Sequence, residues 1–141
     1  MNKLKVENIV FCESVRSEVG GKHTLLGAFA PELNIAGVPA NILMAIWVSG
    51  TPSGIGQFDA EFRALGVDGT TLLNAQINGD FAALGKTSMI IGSFPLAVKE
   101  AGEYSFEWNF GNSKWDKIGK LLIHHTPASI LSSPTAPPQP S

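Results

Sequence analysis

The side chains able to act as acid, base, nucleophile or metal ligand are few in this 141-residue chain: three histidines, one cysteine, twelve carboxylates and scattered hydroxyls. His124 and His125 end an alternating run, and neighbours in an extended chain point to opposite faces, so the two cannot readily share a metal. His23 is the remaining histidine. Cys12 shares a strand face with Val6 and Val10 and reads as a small buried hydrophobe, with no base placed beside it to make a thiolate. Ser53 lies in Gly50-Thr51-Pro52-Ser53-Gly54. A nucleophile elbow needs glycine two residues either side of the serine, on a strand-to-helix turn, and here a strand follows. The glycines at 50, 54 and 56 lack the Lys-Ser/Thr ending of a phosphate loop. Glu103 with Glu107, and Asp59 with Glu61, sit on the polar side of alternating strands, where carboxylates serve solubility. A hydrolase built across subunits from His23, His124 and Glu103 is the most distant alternative. No catalytic, cofactor-binding or metal residue is assigned, and a non-enzymatic protein is expected.

One segment combines more chemistry. Trp108, Phe110 and Trp115 are interleaved with Lys114, Lys117 and Lys120 around a single turn. Aromatic platforms with lysines bind nucleotides or anionic ligands by stacking plus charge. The competing reading is a core aromatic cluster with lysines that guard an edge strand. The segment is kept as a possible ligand or partner surface: Trp108, Lys114, Trp115, Lys117 and Lys120.

The elements that must carry these residues are strands. Phe58, Ala60, Phe62 and Ala64 alternate with Gln57, Asp59, Glu61 and Arg63, while Leu73, Ala75, Ile77 and Phe81 oppose Asn74, Gln76, Asn78 and Asp80. Asp68-Gly69 between them is a preferred two-residue type I′ turn. Pairing Val67 with Thr70 sets Phe62 opposite Ala75, Ala60 opposite Ile77 and Glu61 opposite Gln76, and a slip of one residue destroys that match. Tyr104, Phe106, Trp108 and Phe110 alternate with Glu103, Ser105, Glu107 and Asn109. Further strands are expected at 4–15, 24–29, near Leu33, at 42–48, 87–96 and 115–124. Helical periodicity is absent. The expectation is an all-β fold, an antiparallel immunoglobulin-like β-sandwich of about seven to eight strands.

From Ile42 to Val48 neither strand face carries a polar residue, although the outer face of a sandwich should be polar. The connection 30–40 or another subunit is expected to cover it. The expectation is a homo-oligomer, its surface formed by Ile42, Met44 and Trp47.

Composition sets the remaining bounds. Ten Lys+Arg against twelve Asp+Glu give a net charge of -2, which argues against a general basic surface for duplex nucleic acid. A single cysteine excludes an internal disulfide scaffold. The first residues lack the apolar run of a secretion signal, and the uncharged stretch 33–58 is broken by proline and glycine, so a cytoplasmic protein without a membrane span is expected. Residues 1–125 read as one domain. Residues 126–141, with five prolines and no charge, read as a disordered tail whose P-x-x-P spacing is a weak docking signal.

Phe11-Cys12-Glu13-Ser14-Val15-Arg16, the Gly20-Gly21-Lys22 turn, Thr24-Leu25-Leu26-Gly27-Ala28-Phe29 and Gly102-Glu103-Tyr104-Ser105-Phe106 together carry a resemblance. The pattern, over about residues 4–123, is similar to a family of small bacterial proteins known only as a domain of unknown function. The Gly-x-Tyr arrangement resembles that of immunoglobulin-like sandwiches, in which such a tyrosine braces a corner. The resemblance implies a sandwich fold and a bacterial or phage source, and brings no catalytic residue. The functional expectation is therefore a non-catalytic binding or assembly module of the bacterial cytoplasm that self-associates or meets an unidentified protein partner. The alternative is a small-ligand or nucleotide binder, in a sensing or phage-defence setting, using the Trp108–Lys120 hairpin.

Overall fold

The computed structural model describes residues 2–20, 22–29, 31–111 and 114–126. The tail expected at 126–141, with its P-x-x-P spacing, lies outside these residues except for Thr126. That residue is still tied to the fold, its N–H donating to the Ile35 carbonyl at 2.9 Å.

The described residues form nine strands: β1 (Leu4–Ser17), β2 (His23–Phe29), β3 (Glu32–Ile35), β4 (Ala40–Pro52), β5 (Gly56–Leu65), β6 (Thr71–Phe81), β7 (Thr87–Val98), β8 (Gly102–Asn109) and β9 (Asp116–His125). They build two sheets, ordered β2-β1-β4-β7 and β3-β9-β8-β5-β6. The fold is an all-β sandwich with one strand more than the upper expected number. It is also not wholly antiparallel, because β3 pairs parallel to β9. A parallel neighbour requires a crossover, here supplied by the chain running through the opposite sheet between the two strands.

Alternation decides the core. Phe58, Phe62, Tyr104, Phe106 and Trp108 from one sheet meet Phe11, Met44, Ile46, Phe94 and Leu96 from the other, all of them buried. Phe62, Phe94 and Phe106 contact one another with ring centroids 5.5–6.3 Å apart, within the range where offset and edge-on packing stabilise aromatic pairs. The Tyr104 hydroxyl donates to the Glu100 carbonyl at 2.6 Å and braces the turn into β8.

The β5–β6 register agrees with the sequence expectation: Phe62 opposes Ala75, Ala60 opposes Ile77 and Glu61 opposes Gln76. The turn differs. Gly69 N–H donates to the Gly66 carbonyl at 3.0 Å and Gly66 N–H to the Thr70 carbonyl at 2.8 Å, so the loop is the three residues Val67, Asp68 and Gly69, closed by a positive φ at Gly69. The extra loop residue is offset by a bulge beyond Ala64, where Leu72 is the added residue, and the register further along is the same either way.

The apolar segment Ile42–Val48 of β4 also has a resolution that the sequence left open. Met44, Ile46 and Val48 point into the core. On the outer side, Trp47 lies between Val10 of β1 and Ile90 of β7. Within the chain its cover is the far end of the β1–β2 ribbon rather than the 30–40 connection. His23 pairs with Ser17, well past Val10 along β1, yet its Nδ1 accepts from Trp47 Nε1 at 3.3 Å and lies 3.2 Å from Ser88 Oγ. The ribbon therefore turns back across β4 and β7, and β1 touches β7 although the two share no ladder. Because indole N–H only donates, the His23 Nδ1 that meets it must be unprotonated.

A second close approach fixes the opposite end of β1. A Cβ at Gly50 would run into the Lys5 carbonyl oxygen, beside the register irregularity between Val6 and Asn8. Only glycine admits the neighbouring backbone there.

Candidate functional site

The Trp108–Lys120 segment does not assemble the platform suggested by its composition. Trp108 is only 2% exposed and packs edge-on against Phe110, with centroids 5.0 Å apart. The inward side of β8 takes it, so Trp108 is withdrawn from any surface. Trp115 stays half-buried on the outer face, with the Arg63 guanidinium 3.9 Å above its ring. Arg63 in turn donates through Nε to Glu107 Oε1 at 2.8 Å, and its Nη2 lies 2.7 Å from the same oxygen. The indole is thereby used for a cation–π contact inside the protein. Lys117 stands opposite Glu107, and Lys120 pairs with Glu103 at 3.4 Å. The two β8 carboxylates are engaged by Arg63 and Lys120, and Lys117 lines a separate cavity with Lys3 and Lys5 at the far edge of the sandwich. Lys114 is exposed beside this face.

The expected oligomer surface is also dispersed. Met44 is fully buried and cannot contact a partner. Ile42 is partly buried against the same core, and Trp47 lies under the folded-back ribbon. Leu43, 63% exposed, is the apolar residue of that strand left open.

The candidate catalytic groups remain apart. His124 Nε2 lies 2.9 Å from Glu32 Oε1 across the β3–β9 pair, while His23 is engaged with Trp47 and Ser88, and Glu103 with Lys120. Cys12 is completely buried, its Sγ 3.6 Å from the Ala45 carbonyl, and burial pushes the thiol above its ordinary pKa. It is kept protonated and out of reach. Ser53 closes a loop, its Oγ accepting from Lys3 N–H at 3.0 Å. Among the described residues no three His, Cys, Asp or Glu side chains converge in a metal-binding group.

What the geometry does present is an open lateral edge. β6 and β7 are the last strands of their sheets and face each other on the same side of the sandwich. A notch of about 400 Å³ opens between them, with Leu73, Ala75 and Ile77 on one wall and Ile91 and Phe94 on the other, above Phe62. Ala75 is exposed, and Leu73 and Ile77 are half-buried. No residue of this edge was singled out from the sequence as functional. The available signal was compositional: from Thr71 to Gly79 the strand has no charge and no proline.

A smaller cavity of about 190 Å³ lies at the corner, lined by Tyr104, Lys99, Leu72 and Asp68. The Thr70 N–H, 2.9 Å from Asp68 Oδ1, holds that carboxyl below its ordinary pKa.

Fold and edge together define a two-sheet β-sandwich with an apolar notch on its β6–β7 side. Residues 7–119 match the family of unknown function DUF6941, and the chain belongs to that family. No curated relative matches. Among solved structures, the chain is similar to the C-terminal domain of wzt, with 14% identity and a TM-score of 0.49 over 89% of this chain and 78% of that one. It is also similar to a Listeria innocua beta-glucosidase in complex with gluconolactone, with 11% identity and a TM-score of 0.45, and to a beta-glucosidase from Erythrobacter marinus, with 10% identity and a TM-score of 0.36. The match covers 90% of this chain but 16% of the Listeria enzyme, and 77% of this chain but 18% of the Erythrobacter enzyme. None of these likenesses bears on what the chain does.

Proposed function

We propose that this protein is a non-catalytic assembly module of the bacterial cytoplasm that works by self-association. The observation that carries the reading is the notched β6–β7 edge, where the half-buried Leu73 and Ile77 and the exposed Ala75 lie along an unpaired strand border. Isolated apolar residues on a surface need no explanation, whereas an apolar notch beside a free strand edge is a surface suited to another chain. The Tyr104 corner supports the immunoglobulin-like character of the sandwich. A buried, protonated Cys12 suits a reducing compartment.

The test is light scattering of the full chain, which is expected to give twice the chain mass at about 100 μM, a concentration that populates even weak dimers. A monomer at that concentration overturns the reading. The alternative of a small-ligand or nucleotide binder at the Trp108–Lys120 hairpin draws on Trp115, Lys117 and Lys120 alone, since Trp108 is inside. It requires Trp115 fluorescence to respond to a nucleotide panel, and an unresponsive protein disposes of it.

A further inference from the structure

We infer that two copies of this chain join through β6, running antiparallel with Ala75 on the two-fold axis, so that the two five-stranded sheets become one. This deepens the self-association proposed above and rests on it.

Four strands have a neighbour on one side only: β2, β3, β6 and β7. Three of them are blunted. β3 has four residues. β7 carries Pro95, which lacks an N–H, and is interrupted at Gly92, where φ is +133° and the register shifts. β2 has a positive φ at Gly27 and bends away with its ribbon. β6 has neither the brevity, the proline nor the positive φ of the others, and its one irregularity, the Leu72 bulge, sits beside the turn. It runs for eleven residues without proline, lysine or arginine, and its one charge is Asp80, next to its end.

Charge and hydrogen-bonding chemistry select the occupant. A foreign strand chosen by electrostatics would find no charge to match from Thr71 to Gly79. The outward side chains here are Asn74, Gln76 and Asn78, and every amide offers both a donor and an acceptor, so an amide row complements itself. The inward row, Leu73, Ala75 and Ile77, is equally self-matching. A copy of β6 satisfies both rows at once.

The register follows from which residues meet. Ala75 is the midpoint of the uncharged stretch. Placing it on the axis sets Leu73 against the partner's Ile77 on the core side and Asn74 against the partner's Gln76 on the solvent side, with each inward residue meeting an inward one. Moving the axis to Gln76 would pair Leu73 with the partner's Gly79 and Leu72 with the partner's Asp80, wasting apolar contact and burying a carboxylate beside leucine. The small, exposed Ala75 side chain lets the two strands close on the axis and brings each notch under the other copy.

Cysteine cross-linking reads the register directly. Opposed residues on an antiparallel pair lie within disulfide reach, so oxidised Ala75→Cys should run as a covalent dimer while Gln76→Cys should not. The native Cys12 is buried and does not interfere. Independently, Asn74→Lys combined with Gln76→Lys places like charges opposite each other twice. Both sites are exposed, so the chain still folds, as unchanged circular dichroism would record, and dimer affinity should fall at least about 100-fold. If the full chain is a dimer but Ala75→Cys does not cross-link, or the double lysine variant stays dimeric, the β6 interface is wrong and self-association stands. If the full chain is a monomer at about 100 μM, both fall together.

Discussion

The two outer faces of the sandwich handle solvent in opposite ways. On the β2-β1-β4-β7 sheet the outer row includes Val10, Cys12, Ala45, Trp47 and Ile90, and the chain's own β1–β2 ribbon folds over it. On the β3-β9-β8-β5-β6 sheet the outer row is Asp59, Glu61, Arg63, Glu107 and Lys117, open to water and laced by ion pairs. An apolar outer face is therefore a request for cover, and in this protein a local hairpin answers it.

Truncating one tryptophan on each face is the strongest way to break this contrast. Trp47→Ala removes the anchor of the folded-back ribbon and should cost about 3 kcal/mol, near the lower end for core aromatic deletions. It should also raise amide exchange around 17–24. Trp115→Ala, on the polar face, should cost about 1 kcal/mol, the scale of a partly exposed cation–π contact. Equal losses in chemical denaturation would show that the ribbon is no roof.

A smaller effect sharpens the reference frame that both faces share. Tyr104→Phe leaves the Glu100 carbonyl without its hydroxyl partner and should destabilise by about 1.5 kcal/mol with an unchanged denaturant slope. Smaller again is the Arg63–Glu107 pair, whose side chains are 27% and 16% exposed. A double-mutant cycle with alanine should return a coupling of at most about 1 kcal/mol, shrinking with added salt. The least change concerns Asp68, a fully exposed group. Its folded pKa is lowered chiefly by the Thr70 N–H, so its contribution is present above the ordinary carboxylate pKa of about 3.9 and is lost as pH falls through the folded value. Carboxyl chemical shifts should place that midpoint below those of free aspartates, and Asp68→Asn should remove the matching segment of the pH profile.

Much of this was legible in the sequence wherever alternation ran unbroken. The β5–β6 register was readable because an apolar row on both strands leaves one alignment, and it survived a wrong turn because the third loop residue and the Leu72 bulge offset each other. The Gly-x-Tyr corner was readable for the same local reason. In the Trp108–Lys120 segment the alternation already offered Trp108 as a core aromatic, where the structure places it, but not the placement of the lysines. The register irregularity between Phe106 and Glu107 inserts Ile118, which brings Lys117 and Lys120 to the same outer face although they are three residues apart, and a bulge leaves no mark in composition. For β4 the sequence disclosed that both faces need cover and nothing about which element supplies it. That depends on the ribbon's bend, a long-range contact between His23, Trp47 and Ser88.

The contact of Gly50 with the Lys5 carbonyl has a consequence for what position 50 can carry. The bulge at Glu7 and the bare Cα at position 50 lie side by side in the β1–β4 ladder although they are distant in the chain. On this geometry Gly50→Ala should weaken the β1–β4 pairing, and deletion of Glu7 in the same chain should restore part of the loss in chemical denaturation.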